Sequence, residues 1–138
     1  MKTHSKPIPS IQKYMSTNPH SVRVDETLAT AQKLMSEYKI RHLPVLDGGK
    51  LCGILSDRDV KFAQSLKGLD IKTTKVGDIS HDEVYVTHPD AALDEVVRNM
   101  AQKRLGSAVV MSNDKLVGIF TAVDAMMSLD HLLETRLA

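Results

Sequence analysis

Apolar and polar residues follow one rhythm twice along this chain. In the first cycle Val22-Arg23-Val24 alternates as a short strand does. Leu28, Ala31, Leu34, Met35 and Tyr38 then recur at helical intervals, which predicts an amphipathic helix over about Glu26 to Tyr38. His42 to Leu46 reads as a second strand, Asp47-Gly48-Gly49 as a hairpin turn, and Lys50 to Leu55 as the partner strand. Ser56 then opens a second helix carrying Val60, Phe62, Ala63 and Leu66. Upstream, Ser10 is placed to cap a short helical turn bearing Ile11, Tyr14 and Met15, which Asn18-Pro19 ends.

The second cycle has the same parts. Val76 and Ile79 stand where Ile11 and Tyr14 stood, and Val84-Tyr85-Val86 is the short strand. Leu93, Val96, Val97 and Met100 line a helix. Ser107–Met111 and Lys115–Phe120 form a hairpin around Ser112-Asn113-Asp114, and Thr121 opens the last helix. An ungapped shift of 65 residues, Gly53 to Gly118, superimposes Asp25 on Asp90, Leu28 on Leu93, Met35 on Met100, Val45 on Val110 and Asp59 on Asp124. Identities at core and turn positions are the mark of a structural duplication. Neither half is large enough to bury its own apolar faces well. The expected fold is therefore mixed α+β: two pseudo-twofold-related β-α-β-β-α repeats packed sheet to sheet. Residues 1–10 read as a flexible N-terminus, 11–66 as repeat one, 67–75 as a polar linker, 76–133 as repeat two and 134–138 as a C-terminal tail.

Composition narrows the function. The 138 residues are 42% hydrophobic and 25% charged, with a net charge of +1 and both signs interspersed. No strong field for nucleic acid or membrane is expected from that. Aromatics are 4% and Trp is absent, which argues against base-stacking platforms. A single cysteine, Cys52, excludes an intramolecular disulfide and suits a reducing compartment. The polar N-terminus lacks the apolar stretch of a signal peptide, so a cytoplasmic protein is expected.

Two stretches carry the chemistry: Gly53-Ile54-Leu55-Ser56-Asp57-Arg58-Asp59 and Gly118-Ile119-Phe120-Thr121-Ala122-Val123-Asp124. With these Gly-Ile-x-Ser/Thr-x-x-Asp elements, with Arg41-His42-Leu43-Pro44-Val45 before the first hairpin and with the Tyr14-Met15 lead-in, the chain resembles a tandem pair of CBS domains, the regulatory module named after cystathionine β-synthase. The likeness runs from about Ile11 to Leu132. It implies a non-catalytic sensor with two related clefts between the repeats. The ligands it implies are adenosine nucleotides such as AMP, ADP and ATP, or S-adenosylmethionine or NAD. It also implies a homodimer formed through helices, serving an enzyme or transporter partner that the sequence does not identify. Carried over, Ser56 and Asp59 hold the ribose hydroxyls in one cleft, and Thr121 and Asp124 hold them in the other.

The residues themselves leave two readings of each element. A carboxylate accepts from both vicinal hydroxyls of a ribose, and the helix start beside it offers free amides to a phosphate. Ser-x-x-Asp and Thr-x-x-Asp are also capping-box patterns that satisfy the helix's own amides, an N-cap contributing about 1 kcal/mol. Arg58 lies in a first helical turn, where the macrodipole disfavours a cation. A bound phosphate would offset that, and so would the neighbouring Asp57 and Asp59. The second copy has Ala122 and Val123 there, so the first cleft is expected to favour a phosphate-bearing ligand, with adenosine nearly indifferent. Arg41 and His42 either line the cleft mouth or are a solvated and a half-buried strand residue. Val22 and Pro44 either pack on an adenine or belong to the core.

The remaining candidates are weaker. The six histidines show no metal-ligand spacing, and His81-Asp82-Glu83 reads as a solvated loop. Cys52 reads as a small buried residue of an alternating strand. No histidine neighbours Ser56 or Thr121 to make a nucleophile–base pair, so no catalytic residue, metal or cofactor is expected. The alternatives to a sensor are an interaction domain with empty clefts, or a small enzyme acting on a nucleotide.

Overall fold

The computed structural model describes residues 7–137. The lead-in expected over residues 1–10 therefore lies outside the described residues up to position 6, as does Ala138 of the tail. After a 3-10 turn at Ile11–Lys13 come β1 (Ser16–Thr17), β2 (Val22–Arg23), α1 (Leu28–Tyr38), β3 (His42–Asp47), β4 (Lys50–Ser56), α2 (Asp57–Ser65) and α3 (Val76–Ile79). There follow β5 (Val86–Thr87), α4 (Leu93–Lys103), β6 (Ser107–Ser112), β7 (Lys115–Thr121) and α5 (Ala122–Arg136). The mixed α+β class and the doubled β-α-β-β-α order are both present.

The chain forms two compact units whose borders are shifted from the sequence repeats. One unit is Pro19–Val84; the other joins the chain up to Asn18 with Tyr85 onward. Each repeat's lead-in is thus built into the unit of the other repeat.

The Pro19–Val84 unit has a three-stranded sheet of order β2-β3-β4. β2 runs parallel to β3, Val22 opposite Val45, so the chain must cross over through α1. α1 starts at Leu28, two residues after the predicted Glu26, because Thr27 caps it by accepting from the Thr30 amide. It ends at Lys39 in the left-handed region (φ 54°). The β3–β4 hairpin turns on Gly48 and Gly49 at φ 58° and 82°, a two-residue turn that glycine suits. Leu28, Ala31, Met35, Leu43, Val45, Leu55, Val60, Ala63 and Val76 form its core with Val22. Tyr38 departs from the predicted apolar stripe: it is exposed and stacks on His20, ring centroids 3.8 Å apart.

The other unit repeats this register in a sheet of order β1-β7-β6-β5. β5 lies parallel to β6 across α4, and β6 and β7 turn on Asn113 and Asp114 at φ 51° and 61°. The short strand predicted at Val84-Tyr85-Val86 sits slightly later, at Val86–Thr87. Ile11, Leu93, Val96, Met100, Ala108, Val110 and Phe120 make the core. Ser10 precedes the first turn but makes no side-chain cap, contrary to expectation; its backbone instead bridges Ala92. α5 runs to Arg136, so the expected tail from residue 134 begins as helix. Arg136 Nη2 donates to the Pro7 carbonyl at 2.9 Å.

The glycines opening the two elements answer to close approach. A Cβ on Gly53 would lie 2.8 Å from the His81 carbonyl oxygen, and one on Gly118 would lie 2.6 Å from Met15 Sδ and 3.1 Å from the Ser16 carbonyl oxygen. In each unit the lead-in segment crosses the strand there: Ile54 pairs with His81, and Ile119 with Ser16. The Tyr14-Met15 lead-in gains a physical role from this. Met15 covers Gly118, while Tyr14 Oη meets His131 Nδ1 of α5 at 2.7 Å.

Candidate functional site

Each element places a hydroxyl and a carboxylate where a strand ends and a helix begins. Ser56 N–H donates to Asp59 Oδ2 at 2.8 Å, and Asp59 N–H donates to Ser56 Oγ at 3.1 Å. Thr121 N–H donates to Asp124 Oδ2 at 2.9 Å, and Asp124 N–H reaches Thr121 Oγ1 at 3.4 Å. Both are reciprocal capping boxes, so the capping reading is realised in full. The strand before each hairpin also takes part: the Arg41 carbonyl accepts from Asp57 N–H, and the Gly106 carbonyl from Ala122 N–H.

Capping uses only one side of each carboxylate, and the other side differs. Asp59 Oδ1 meets His81 Nε2 at 2.8 Å. A carboxylate only accepts, so Nε2 carries the proton. Asp124 instead accepts a second bond on Oδ2, from Thr121 Oγ1 at 3.2 Å, and its Oδ1 has no partner among the described residues.

Arg58 is exposed in the first turn of α2 and has no hydrogen-bond or ion-pair partner among the described residues. The two neighbours that could neutralise it are engaged elsewhere: Asp57 pairs with Lys61 at 3.0 Å and Asp59 with His81. His42 lies opposite Ser56 in the β3–β4 ladder. Burial pushes its pKa below the ordinary 6.5; the Asp59 carboxylate works against that shift and the Arg41 cation adds to it.

Not every candidate joins this group. Arg41 lines an open groove of about 980 Å³ with Gln32, Lys33, Ser36, Lys39 and Asp57, and none of the other candidates borders it. Val22 is 2% exposed and belongs to the core, and Pro44 is buried in β3, so neither presents an open apolar face.

Two residues stand differently from expectation. His81 is no loop bystander, since its backbone pairs with Ile54 and its ring with Asp59. The 65-residue shift that relates Gly53 to Gly118 relates Ser16 to His81, which marks the two positions as equivalent without disclosing their partners. Cys52 is exposed, not buried. Val45 pairs with Gly53 but Leu46 with Leu51, so Cys52 is the extra residue of a bulge and the alternation breaks there. Partial burial, and then the Asp47 carboxylate, raise its thiol pKa. Among the described residues no group of three or more His, Cys, Asp or Glu is placed to hold a metal, and no helix is long and apolar enough to cross a membrane.

Duplicated β-α-β-β-α order, exchanged lead-ins and paired capping boxes define a tandem structural duplication, and the chain belongs to the CBS domain family, which it matches over residues 11–65 and 76–131. It is similar to hypoxic response protein 1 of Mycobacterium tuberculosis, 34% identical over 100 residues that cover 72% of this chain and 70% of the relative. The solved AcuB of Vibrio cholerae superimposes with a TM-score of 0.84 at 32% identity, over 95% of this chain and 97% of that one. The CBS domain pair of protein MJ0100, solved with 5′-methylthioadenosine and S-adenosyl-L-methionine, gives a TM-score of 0.82 at 24% identity, over 91% and 98% of the two chains.

Proposed function

We propose that this protein is a non-catalytic sensor of adenosine-containing nucleotides, which it holds by the ribose at the Asp59 and Asp124 carboxylates. The observation that carries the reading is the repeated carboxylate, fixed by a capping box at both helix starts and keeping acceptor capacity beyond the cap. A carboxylate held by the N-cap amide is preorganised for a diol, and ordering it on binding costs little. Arg58, a cation without a partner, suits a phosphate beside the first of them. The nucleoside ligands of the MJ0100 pair support the class of ligand. Ser56 Oγ and Thr121 Oγ1 are both engaged with their capping partners, which favours binding over nucleophilic chemistry.

Calorimetry with AMP, ATP, NAD and S-adenosylmethionine tests this. Saturable binding of at least one of them without turnover is expected. Silence from all four would leave an interaction domain with empty sites, and turnover would make the protein an enzyme.

We further propose that it works as a symmetric homodimer. α5 exposes Val123, Met126, Met127, Leu129 and Leu133, and Phe62 and Leu66 are exposed at α2. The exposed apolar face of α5 calls for a cover, and a second copy brings the same face; Phe62 and Leu66 belong to the other unit. Leu132, on the same helix, packs into its own unit's core and is not part of that face. Light scattering should give twice the chain mass at micromolar concentration, and Met126→Glu with Met127→Glu should return it to a monomer. A wild-type monomer throughout that range would refute the dimer.

A further inference from the structure

The two carboxylates are equivalent in sequence and unequal in structure. Asp124 Oδ1 has no partner among the described residues, whereas Asp59 Oδ1 is held by the imidazole of His81. A vicinal diol engages both oxygens of a carboxylate: at Asp124 it meets an Oδ1 without a partner among the described residues beside an Oδ2 that already accepts two bonds, and at Asp59 the hydroxyl that reaches Oδ1 must share that oxygen with the imidazole or displace it. The Asp59 side chain is 16% exposed, so the contact it already has is partly shielded from water. The His81 side chain is 64% exposed, and its backbone is pinned to Ile54 by bonds of 2.9 and 3.0 Å. The ring is thus free to swing outward while its attachment stays fixed. In the other unit the corresponding place, opposite Ile119, is taken by Ser16, which makes no side-chain hydrogen bond among the described residues.

We propose that His81 is a latch on the ribose acceptor of the Pro19–Val84 unit, so that the Asp124 site accepts a bare nucleoside whereas the Asp59 site requires a phosphate as well. The inference rests on the adenosine reading above and assigns the two sites different specificities. Displacing the imidazole removes a charge-assisted bond, and only a ligand that brings its own compensation does so readily. Arg58 supplies that compensation for a phosphate, since no residue described here neutralises it. The Thr121 helix start has Ala122 and Val123 instead, and there is no latch to displace. Phosphate selectivity in one site then follows from one histidine and one arginine, with the ribose-binding chemistry unchanged.

The test is calorimetry of adenosine and AMP on the full chain. Asp124→Ala silences one site, and the His81 variants are made in that background. Asp124→Ala alone should keep AMP binding and lose adenosine. Adding His81→Ala should restore adenosine at the Asp59 site, with affinity at least tenfold above that of Asp124→Ala. His81→Gln, which keeps a donor, should leave adenosine weak. If His81→Ala leaves adenosine unchanged while AMP still binds, or weakens both ligands together, His81 is no latch. If wild type and every variant bind neither ligand, the adenosine reading itself falls. Melting curves on each variant identify any that fails to fold, and His81→Gln then carries the comparison: equal binding of adenosine and AMP by that variant would overturn the proposal.

Discussion

Replacing Gly53 by alanine should damage the fold and the site together. The added Cβ would sit 2.8 Å from the His81 carbonyl oxygen and 3.3 Å from Ser80 Oγ. Backbone cannot rotate away as a side chain does, so the 80–81 segment must retreat by about 0.5 Å to reach ordinary carbon–oxygen contact. The Ile54 N–H to His81 carbonyl bond, now 2.9 Å, would then stretch past the usual range, along with the reciprocal 3.0 Å bond. Two weakened bonds at about 1 kcal/mol each and overpacking of about 1–3 kcal/mol are offset by less than about 1 kcal/mol from the stiffer unfolded chain. The net loss is about 2–4 kcal/mol, which for a chain of this size lowers Tm by roughly 8–14 °C. Gly118 is the internal control. Its Cβ meets chiefly Met15 Sδ and Cε, the end of a flexible thioether, so Gly118→Ala should cost only about 0.5–1.5 kcal/mol. Thermal melts and urea titrations of both variants read the difference. A Gly118→Ala loss equal to or greater than that of Gly53→Ala would refute the reasoning.

Two further outcomes follow from the site. Arg58→Ala should raise the AMP dissociation constant of the Asp59 site about tenfold, equivalent to about 1.4 kcal/mol, and leave adenosine binding unchanged; equal losses for both ligands, by calorimetry, would mean that Arg58 acts through the fold. His42 has its pKa lowered in the folded protein, so the unfolded chain binds its proton more readily. Its stabilising contribution is full well above 6.5 and is lost as pH falls from there through the folded pKa, so His42→Gln should lose less Tm than wild type between pH 7.5 and 5. Parallel declines would show that some other group titrates.

The residue pattern disclosed those parts of the fold that depend on local periodicity or on turn chemistry. Leu28 to Met35 and Leu93 to Met100 fall at helical spacing, Gly48-Gly49 and Asn113-Asp114 sit at tight turns, and Ser56 and Thr121 cap helices. Non-local pairing was hidden. Two-residue strands such as β1 are too short to show alternation, and nothing local announces that Ser16 pairs with Ile119 or His81 with Ile54. The exchange of lead-ins between units was invisible for the same reason, as was the bulge that turns Cys52 outward. At the site, the capping boxes and the place of Arg58 in a first helical turn were legible because they are local, whereas the engagement of Asp57 with Lys61 and of Asp59 with His81, which leaves Arg58 without a partner among the described residues, was not. The His81–Asp59 contact spans 22 residues, and a histidine in a polar loop carries no signal of its partner.

The central claim is that the capping-box carboxylates hold ribose hydroxyls, and comparing AMP with 2′-deoxy-AMP tests it most directly. Both ligands carry the same base and phosphate, so contacts to those groups cancel in the comparison. Loss of one charge-assisted hydrogen bond, about 1.5–3 kcal/mol, should weaken 2′-deoxy-AMP by roughly 10- to 150-fold in calorimetry. Asp59→Ala with Asp124→Ala should abolish that difference. Equal affinity of the wild-type protein for the two ligands would contradict the account.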